Sequence, residues 1–262
     1  MKYSLTKLPH FSSGVFKVWQ RNFMVFRKSK LENLFWMWLE PLLIFFGIGY
    51  GLGSFIADMQ GISYADFFFP SILCMTSMMV SFFEGSYGNF SKLHFNNTYS
   101  AMLTTTIEIE QIVLGEVLWA ATKGTISALG VALVAGLFGH LDSLNYLLVF
   151  VVIFVTSILF GAMGMFIATK VKSYEGIVYP TAGLIVPMSL FSGTYFSLEH
   201  LPFGIKYVTY ILPLTHSVAL TRAFILNNEP WWIMAVHFLV LGTLAIYLIR
   251  VSIRRITVEL IN

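Results

Sequence analysis

The chain has 262 residues, of which 57% are hydrophobic and 11% are charged, whereas soluble domains have about 45–50% apolar and about 25% charged residues. The apolar residues occur in runs of about 20, the length that crosses a bilayer, which excludes most classes of soluble enzyme. A net charge of +3 gives no large basic surface and disfavours nucleic-acid binding. The single cysteine, Cys74, excludes a disulfide framework and a cysteine-based metal cluster.

The N-terminal segment, residues 1–33, lacks the apolar core and the small-residue cleavage site of a signal peptide. Residues 11–27 place apolar residues on one helical face and cations on the opposite face. This pattern predicts an amphipathic helix lying in the membrane interface, with aromatic rings in the acyl boundary and cations toward lipid headgroups. The alternative is a positively charged flank with incidental periodicity. The apolar face contains Phe11, Val15, Trp19, Phe23 and Phe26, and the basic face contains Lys17, Arg21 and Lys28.

Six apolar stretches between residues 34 and 250 are long enough to cross about 30 Å of hydrocarbon at about 1.5 Å per residue. A C-terminal tail, residues 251–262, follows them. The sequence therefore predicts an all-α integral membrane protein with six transmembrane helices. The predicted spans are residues 34–56, 67–87, 112–137, 144–169, 176–196 and 231–250.

The distribution of positive charge predicts the orientation of these spans. Thirteen of the 16 lysines and arginines lie before the first span, in the second and fourth connections, or at the C-terminal end of the chain from Arg250 onward. The first and third connections contain Asp58, Asp66 and Asp142 and no lysine or arginine. Because positive charge is retained in the cytoplasm, both termini are predicted to be cytoplasmic, which requires an even number of spans.

No sequence motif indicates chemistry within this chain. The phosphate-binding loop that ends in Gly-Lys-Ser/Thr is absent, and residues 121–125 have the right residue types in the wrong order. Zinc-protease, serine-hydrolase and paired-carboxylate patterns are absent as well. We therefore predict no catalytic residue and no metal site, and any transport work would draw its energy from another subunit.

Four ionisable residues lie in or beside the predicted spans, where charge is costly: Glu40, Glu84, Glu116 and Lys123. Glu116 and Lys123 share one face of the third span but are about 10 Å apart along its axis, too far for direct pairing. Lys123 is interpreted as a contact for an anionic substrate group or, alternatively, as a structural contact to a neighbouring helix. Glu40 and Glu84 are interpreted as marking the interfacial ends of their spans.

The region after the fourth span is irregular. Pro180, Gly183, Pro187 and Gly193 interrupt the fifth span, and residues 207–220 form an apolar stretch that is too short to cross. Such a stretch is re-entrant or interfacial, so we predict a hairpin of short helices on the outer side between the fifth and sixth spans. His216 and Arg222 are expected to be interfacial polar groups of this hairpin.

The second connection, residues 88–111, is predicted to be cytoplasmic, with a short helix over residues 99–110 and capping candidates at residues 96–98. A helix exposed between two spans is suited to docking a partner, and an ordinary polar loop is the alternative. The expected docking residues are Tyr99, Ala101, Met102, Thr105, Glu108 and Glu110.

Taken together, these segments resemble the membrane subunits of ABC-2 type exporters, and most closely the nodulation-protein-J-like branch. The most specific match is residues 191–202, followed by residues 212–217 and Arg222. These are similar to the family's Ser-Gly-x-x-Phe-Pro, Leu-Pro and Asn/Leu-Pro-Leu-Thr/Ser-His/Tyr pattern. Residues 99–115 are similar to the family's first cytoplasmic loop and the start of its third helix. The chain departs from the pattern at Ser197, where proline is usual, and at residues 106–107.

The resemblance implies a homodimer of six-helix subunits in the bacterial inner membrane, paired with two copies of an ATP-binding cassette subunit. ATP and Mg²⁺ would bind that partner, and this chain would hold no cofactor. The implied cargo is a lipid-linked saccharide, a lipid-like molecule or another amphiphile, and the direction of export is implied by the resemblance alone.

We expect the substrate to pass between the two subunits, in a path closed on the outer side by the hairpin of residues 191–222, because broken backbone at membrane depth must line a cavity. The candidate path residues are Lys123, Phe82, Phe83, Met188 and Phe191. The candidate outer-gate residues are Gly193, Phe196, Pro202, Pro213, His216 and Arg222.

Two other classes remain open. A secondary transporter would have matching broken helices in both halves, but here only the fifth span is broken. A membrane-embedded lipid-modifying enzyme would cluster histidines or acidic residues at one depth, but the six histidines are scattered along the chain.

Overall fold

The computed structural model describes residues 12–56, 58–59, 61–140, 145–226 and 229–261. Within these ranges the protein is nearly all helical and has no β-strand, only an isolated bridge between Met59 and Ile62. The predicted all-α class is therefore confirmed. Predictions for Lys2, Lys7, Phe11 and Asp142 lie outside the described residues.

Ten helices account for this architecture in the part of the chain that is described. The first two are α1 (Ser13–Lys28) and α2 (Lys30–Phe55), which becomes π-helical at Phe45–Gly51 and 3-10 helical at Leu52–Phe55. The others are α3 (Tyr64–Phe95), α4 (Thr98–Leu103), α5 (Ile109–Leu137), α6 (Tyr146–Ala168), α7 (residues 174–191), α8 (Phe203–Thr209), α9 (Pro213–Leu226) and α10 (Trp231–Ile261).

Five of these helices, α2, α3, α5, α6 and α10, are long and apolar enough to cross a membrane. The predicted fifth span corresponds to α7, which has a π-helical turn at Thr181–Ile185 and ends at Phe191. Helix α7 is shorter than the other five and is not among the candidate spans, so the count of six remains a prediction.

The centre of the molecule is formed by α3, α5 and α6, with α10 packed on α6 and α9 packed on α3, α6 and α10. Small residues permit these close crossings. A Cβ atom on Gly85 of α3 would collide with the backbone carbonyl oxygen of Gly161 of α6, and one on Gly124 of α5 would meet Ser81 and Ser157. The helices therefore pack almost backbone to backbone at these points, as is common between membrane helices.

A hydrogen-bonded chain joins three helices at the end of the bundle opposite α4. His140, after α5, accepts or donates at both ring nitrogens: Nδ1 lies 2.7 Å from Asp66 Oδ1 in α3 and Nε2 lies 2.6 Å from the Tyr50 hydroxyl in α2. Ser63 caps α3 and donates to the same aspartate. The ends of the first and third predicted connections are thus held together through Asp66 and His140.

Helix α1 packs along α5, which differs from the expected position of its aromatic face. Val15 and Val18 are buried, and a Cβ on Gly115 of α5 would collide with Val18. The Trp19 indole donates a hydrogen bond of 2.9 Å to Thr122 Oγ1. Much of the apolar face predicted to enter lipid therefore contacts protein, because α5 offers small residues that admit it.

Candidate functional site

The connection between α3 and α5 is the first part of the candidate site. Helix α3 extends beyond residue 87, the predicted end of the second span, and continues through a π-helical turn at Ser91–Phe95. The predicted helix over residues 99–110 is also too long, because α4 ends at Leu103 and Glu108 already caps α5 through a capping box with Gln111. Thr105 consequently lies in the turn, and Glu108 and Glu110 belong to the start of α5.

Helix α4 has an anchored face and a free face. Tyr99 is fully buried and Met102 is nearly so, whereas Ala101 and Thr105 are exposed. Burial, with a smaller effect of the Glu116 and Glu84 charges, raises the pKa of the Tyr99 hydroxyl well above its usual value, so the group stays neutral. The helix is thus held to the bundle by one face and presents the other.

A groove of about 320 Å³ runs beside the free face of α4. Its lining comes from α1 through Arg21 and from the α4 region through Thr98, Ala101 and Thr105. Three of the predicted docking residues, Ala101, Met102 and Thr105, therefore lie at one groove, and α1 contributes a cation to its wall.

Four charged side chains of α3 and α5 form a buried cluster, which we call the ion cluster. Lys123 Nζ lies 2.8 Å from Glu84 Oε2, Lys92 Nζ lies 3.4 Å from Glu84 Oε1, and Lys92 Nζ lies 2.6 Å from Glu116 Oε2. Glu116 is fully buried, and the other three side chains are 14–15% exposed. The formal charges of the four groups sum to zero.

Two further groups donate hydrogen bonds to the carboxylates of the ion cluster. The Trp119 indole donates to Glu84 over 3.0 Å, and the Asn22 amide of α1 donates to Glu116 over 2.9 Å. The ion cluster thereby joins α1, α3 and α5, the last two being the helices that precede and follow α4 in the chain. Buried charges need pairing and hydrogen bonds of this kind to be tolerated.

The π-helical turns of α3 explain how Glu84 and Lys92 meet. Eight residues of an ideal α-helix rotate the chain by roughly 80° beyond two full turns, which would point the two side chains apart. The wider i to i+5 turns at Glu84–Gly88 and Ser91–Phe95 reduce the rotation per residue and bring both side chains toward α5.

These contacts change the interpretation of the intramembrane charges. Glu84 lies inside α3 and binds two lysines, and Glu40 lies inside α2, so neither residue is at the end of its helix. Lys123 makes the structural contact that the sequence left as the alternative. The argument for an anion contact depended on an uncompensated lysine, and the ion pair with Glu84 removes that premise.

Sequence reasoning missed Lys92 because it was counted as a loop cation. A signal was present, however. The second and third predicted spans hold Glu84, Glu116 and Lys123, which leaves one negative charge in excess between these two helices. A search for the missing cation would have pointed to the residues just after the second predicted span.

The candidate path residues are distributed between core and surface. Phe82 and Met188 are buried in the helical core, whereas Phe83 and Phe191 are 37% and 41% exposed. Of the five candidates, only Phe83, Phe191 and Lys123 therefore reach the surface of the subunit in the conformation described.

The predicted outer-gate residues follow α7 in a compact, partly buried segment. Gly193 has φ of +78° and turns the chain, and the carbonyl of Tyr195 accepts a hydrogen bond from Tyr64. Phe196 is half-buried, Pro202 precedes α8 and Pro213 begins α9.

His216 and Arg222 of α9 both contact side chains of neighbouring helices. His216 Nδ1 lies 2.7 Å from His237 Nδ1 of α10. The Arg222 guanidinium lies over the Phe67 ring, 3.7 Å from its centroid, and donates a hydrogen bond of 2.6 Å to Ser71 Oγ.

The sequence also matches a family model. The model described as the ABC-2 type transporter matches residues 14–226, which include α1, the ion cluster, α4 and α9. The chain belongs to the ABC-2 type transporter family. This ABC-2 type protein is accordingly a multi-pass membrane protein, in agreement with its five candidate spans.

Curated relatives of this ABC-2 type protein carry related names. The chain is 32% identical to Nodulation protein J of Rhizobium leguminosarum bv. trifolii over 246 residues, covering 94% of this chain and 92% of the relative. It is 34% identical to Nodulation protein J of Neorhizobium galegae over 88% of this chain and 87% of the relative. It is 22% identical to the Inner membrane transport permease YadH of Escherichia coli over 88% and 91%, respectively. No solved structure matched it significantly.

Proposed function

We propose that this chain is the membrane-spanning subunit of an ATP-driven exporter that moves a lipid-linked saccharide, a lipid-like molecule or another amphiphile out of the cytoplasm or the inner leaflet. The observation that carries the proposal is the family match over residues 14–226, which contains a short helix with one anchored face and one free face. Such a helix is suited to receive force from a second protein.

The energy source is a separate ATP-binding cassette subunit, present in two copies, which binds ATP and Mg²⁺. It docks on residues 92–110, with contacts to Ala101 and Thr105 on the free face of α4 and to the adjacent groove. A displacement of α4 is passed to the bundle because Tyr99 is buried in its core, and the ion cluster binds α3 and α5 together.

Two copies of the chain form the transporter, and the substrate moves between them. Each copy has six spans, with α7 as the fifth, both termini in the cytoplasm, and the segment of residues 191–222 as a re-entrant outer gate. The broken helix α7 and the short helices α8 and α9 support this arrangement, since irregular backbone at membrane depth is stable only where it is packed in protein or lines a cavity. The spans together form one transmembrane domain, residues 34–250, flanked by the cytoplasmic segment 1–33 and the tail 251–262.

Site-directed crosslinking tests the docking assignment. A cysteine at Ala101 should crosslink to the co-expressed ATPase encoded nearest to this chain, and a cysteine at Glu229, at the opposite end of the chain's helices, should not. The native Cys74 is buried against Thr221 and is not expected to react with a water-soluble crosslinker. Coupled ATP hydrolysis that survives replacement of residues 101–110 by a flexible linker would disprove the assignment.

Reconstitution tests export itself. Proteoliposomes containing this chain and its ATPase should move a fluorescent amphiphile between leaflets only when ATP is added, and the chain alone should hydrolyse no ATP. Movement driven by an ion gradient without the ATPase would instead support a secondary transporter.

A further inference from the structure

A cavity of about 520 Å³ opens between α2 and α3, and the candidate path residues Phe83 and Lys123 are part of its lining. Glu32, Trp36 and Glu40 line one wall. They are spaced four residues apart, so they form one stripe on the face of α2, about 12 Å long. Phe83 and Tyr87 of α3 line the opposite wall. We call this cavity the α2–α3 cleft.

The α2–α3 cleft has uncompensated negative charge. Its back wall contains Glu84 and Lys123, which neutralise each other within the ion cluster. Glu32 and Glu40 form no ion pair with any residue that the structure describes, and both are exposed. The net formal charge of the lining is therefore −2. Glu40 lies within a candidate membrane span, where an unpaired carboxylate is costly unless it faces a hydrated or liganded site.

Aromatic rings surround these carboxylates. Trp36 is 71% exposed and Phe83 is 37% exposed, so both present ring surface to the cleft, and Tyr87 is half-buried beside them. The faces of aromatic rings attract organic cations electrostatically, most strongly in the case of tryptophan. Carboxylates placed among aromatic rings favour a cation and repel an anionic headgroup.

We propose that the α2–α3 cleft binds the cationic group of an amphiphile, with Glu32 and Glu40 as its counter-ions and Trp36 and Phe83 as its aromatic walls. The inference rests on the proposed function, because it names the class of amphiphile that the exporter accepts. Phe35 and Leu43, each three residues beyond a carboxylate of the stripe, offer exposed apolar surface for the attached hydrocarbon. Lys123 then holds Glu84 in place and does not contact the ligand's charge.

Binding to the purified chain tests this inference without the ATPase. The chain is placed in nanodiscs of phosphatidylcholine, which has no net charge, and titrated with radiolabelled tetraphenylphosphonium. Tetraphenylborate, an anion of nearly the same shape, is titrated in parallel. Saturable binding above empty nanodiscs is expected for the cation and not for the anion.

Matched variants locate the binding. The double variant Glu32→Gln with Glu40→Gln should raise the Kd of the cation at least tenfold, and Trp36→Leu should raise it several-fold. Glu229→Gln, which removes an exposed carboxylate outside the cleft, should leave it unchanged. If each variant unfolds at the same temperature as the wild type, its weaker binding does not result from a loss of fold.

Three results would overturn the inference. These are equal binding of the two ions, an unchanged Kd in the double variant, and an absence of saturable binding combined with a lower dimer yield in that variant. The last result would show that the second copy of the chain covers the cleft. Saturable cation binding without any ATP-dependent transport of amphiphiles would count against the proposed function and leave the cleft assignment intact. Transport of amphiphiles without charge preference would count against the cleft assignment and leave the proposed function intact.

Discussion

Single residues in the ion cluster carry unequal shares of its stability. Lys92 binds both carboxylates, whereas Lys123 binds only Glu84. Removing one partner of a buried pair leaves an uncompensated charge and costs roughly 3–5 kcal/mol. Lys92 is therefore the member on which the arrangement depends most.

Lys92→Met should lower the yield and unfolding temperature of the purified chain much more than Lys123→Met. The first change leaves the fully buried Glu116 with only Asn22, whereas after the second Glu84 still has Lys92 and Trp119. Thermal unfolding in detergent, followed by size-exclusion chromatography, measures both. Equal losses would contradict the geometry of the cluster.

Neutralising Glu116, which has no cationic partner in the Lys92→Met variant, should restore part of the lost stability. The double variant Lys92→Met with Glu116→Gln removes a cation and an anion together, so its loss should be smaller than that of Lys92→Met alone. An additive loss in this double-mutant comparison would indicate that the two groups do not interact.

At the scale of elements, small residues set the distance between helices. Gly115 of α5 lies against the backbone and Val18 side chain of α1, so that even a methyl group has no room there. Gly242 of α10 has no neighbour within 4 Å of a Cβ position. The two glycines are both inside long helices and provide a matched comparison.

Gly115→Ala should destabilise the chain, whereas Gly242→Ala should be neutral or stabilising by up to about 1 kcal/mol, because alanine favours the helix. The difference arises from the required separation of α1 and α5. The unfolding temperatures of the two variants provide the measurement, and a stabilising effect of Gly115→Ala would show that α1 does not pack on α5.

The two faces of α4 should respond differently to substitution. Tyr99→Ala removes a fully buried ring and should cost about 3–5 kcal/mol of stability, by analogy with other large aromatic truncations. Ala101→Glu alters the exposed face and should leave the unfolding temperature unchanged while weakening co-purification of the ATPase. A chain that binds the ATPase normally with Ala101→Glu would rule out that face as the contact.

For the whole molecule, the number of spans decides the topology. Five helices qualify as spans, and an odd number would place the termini on opposite sides, whereas α7 as a sixth span would place both in the cytoplasm. The positive charge favours the second arrangement.

Reporter fusions should distinguish the two topologies. Fusions at residues 60 and 142 are expected to report the outside, and one at residue 262 the cytoplasm. An outside signal at residue 262 would mean that α7 does not cross. An internal signal at residue 60 or 142 would overturn the orientation as a whole.

The sequence by itself determined the membrane class, the approximate position of five spans and the family, because composition and the length of apolar runs are local properties. It also located the charges inside the spans. The pairing of Glu84 with Lys92, however, depends on π-helical turns that no local pattern in the sequence specified.

Only the tertiary structure decided what those charges contact and where α1 lies. Hydrophobic periodicity predicts that a helix face is apolar but does not say whether lipid or a neighbouring helix covers it. In α1, much of the apolar face is covered by α5. Likewise, a charge in an apolar span must find a partner, but the partner of Lys123 comes from a helix 39 residues away in the chain. Contacts between distant segments depend on how helices cross, and crossings are set by side-chain packing across the whole bundle.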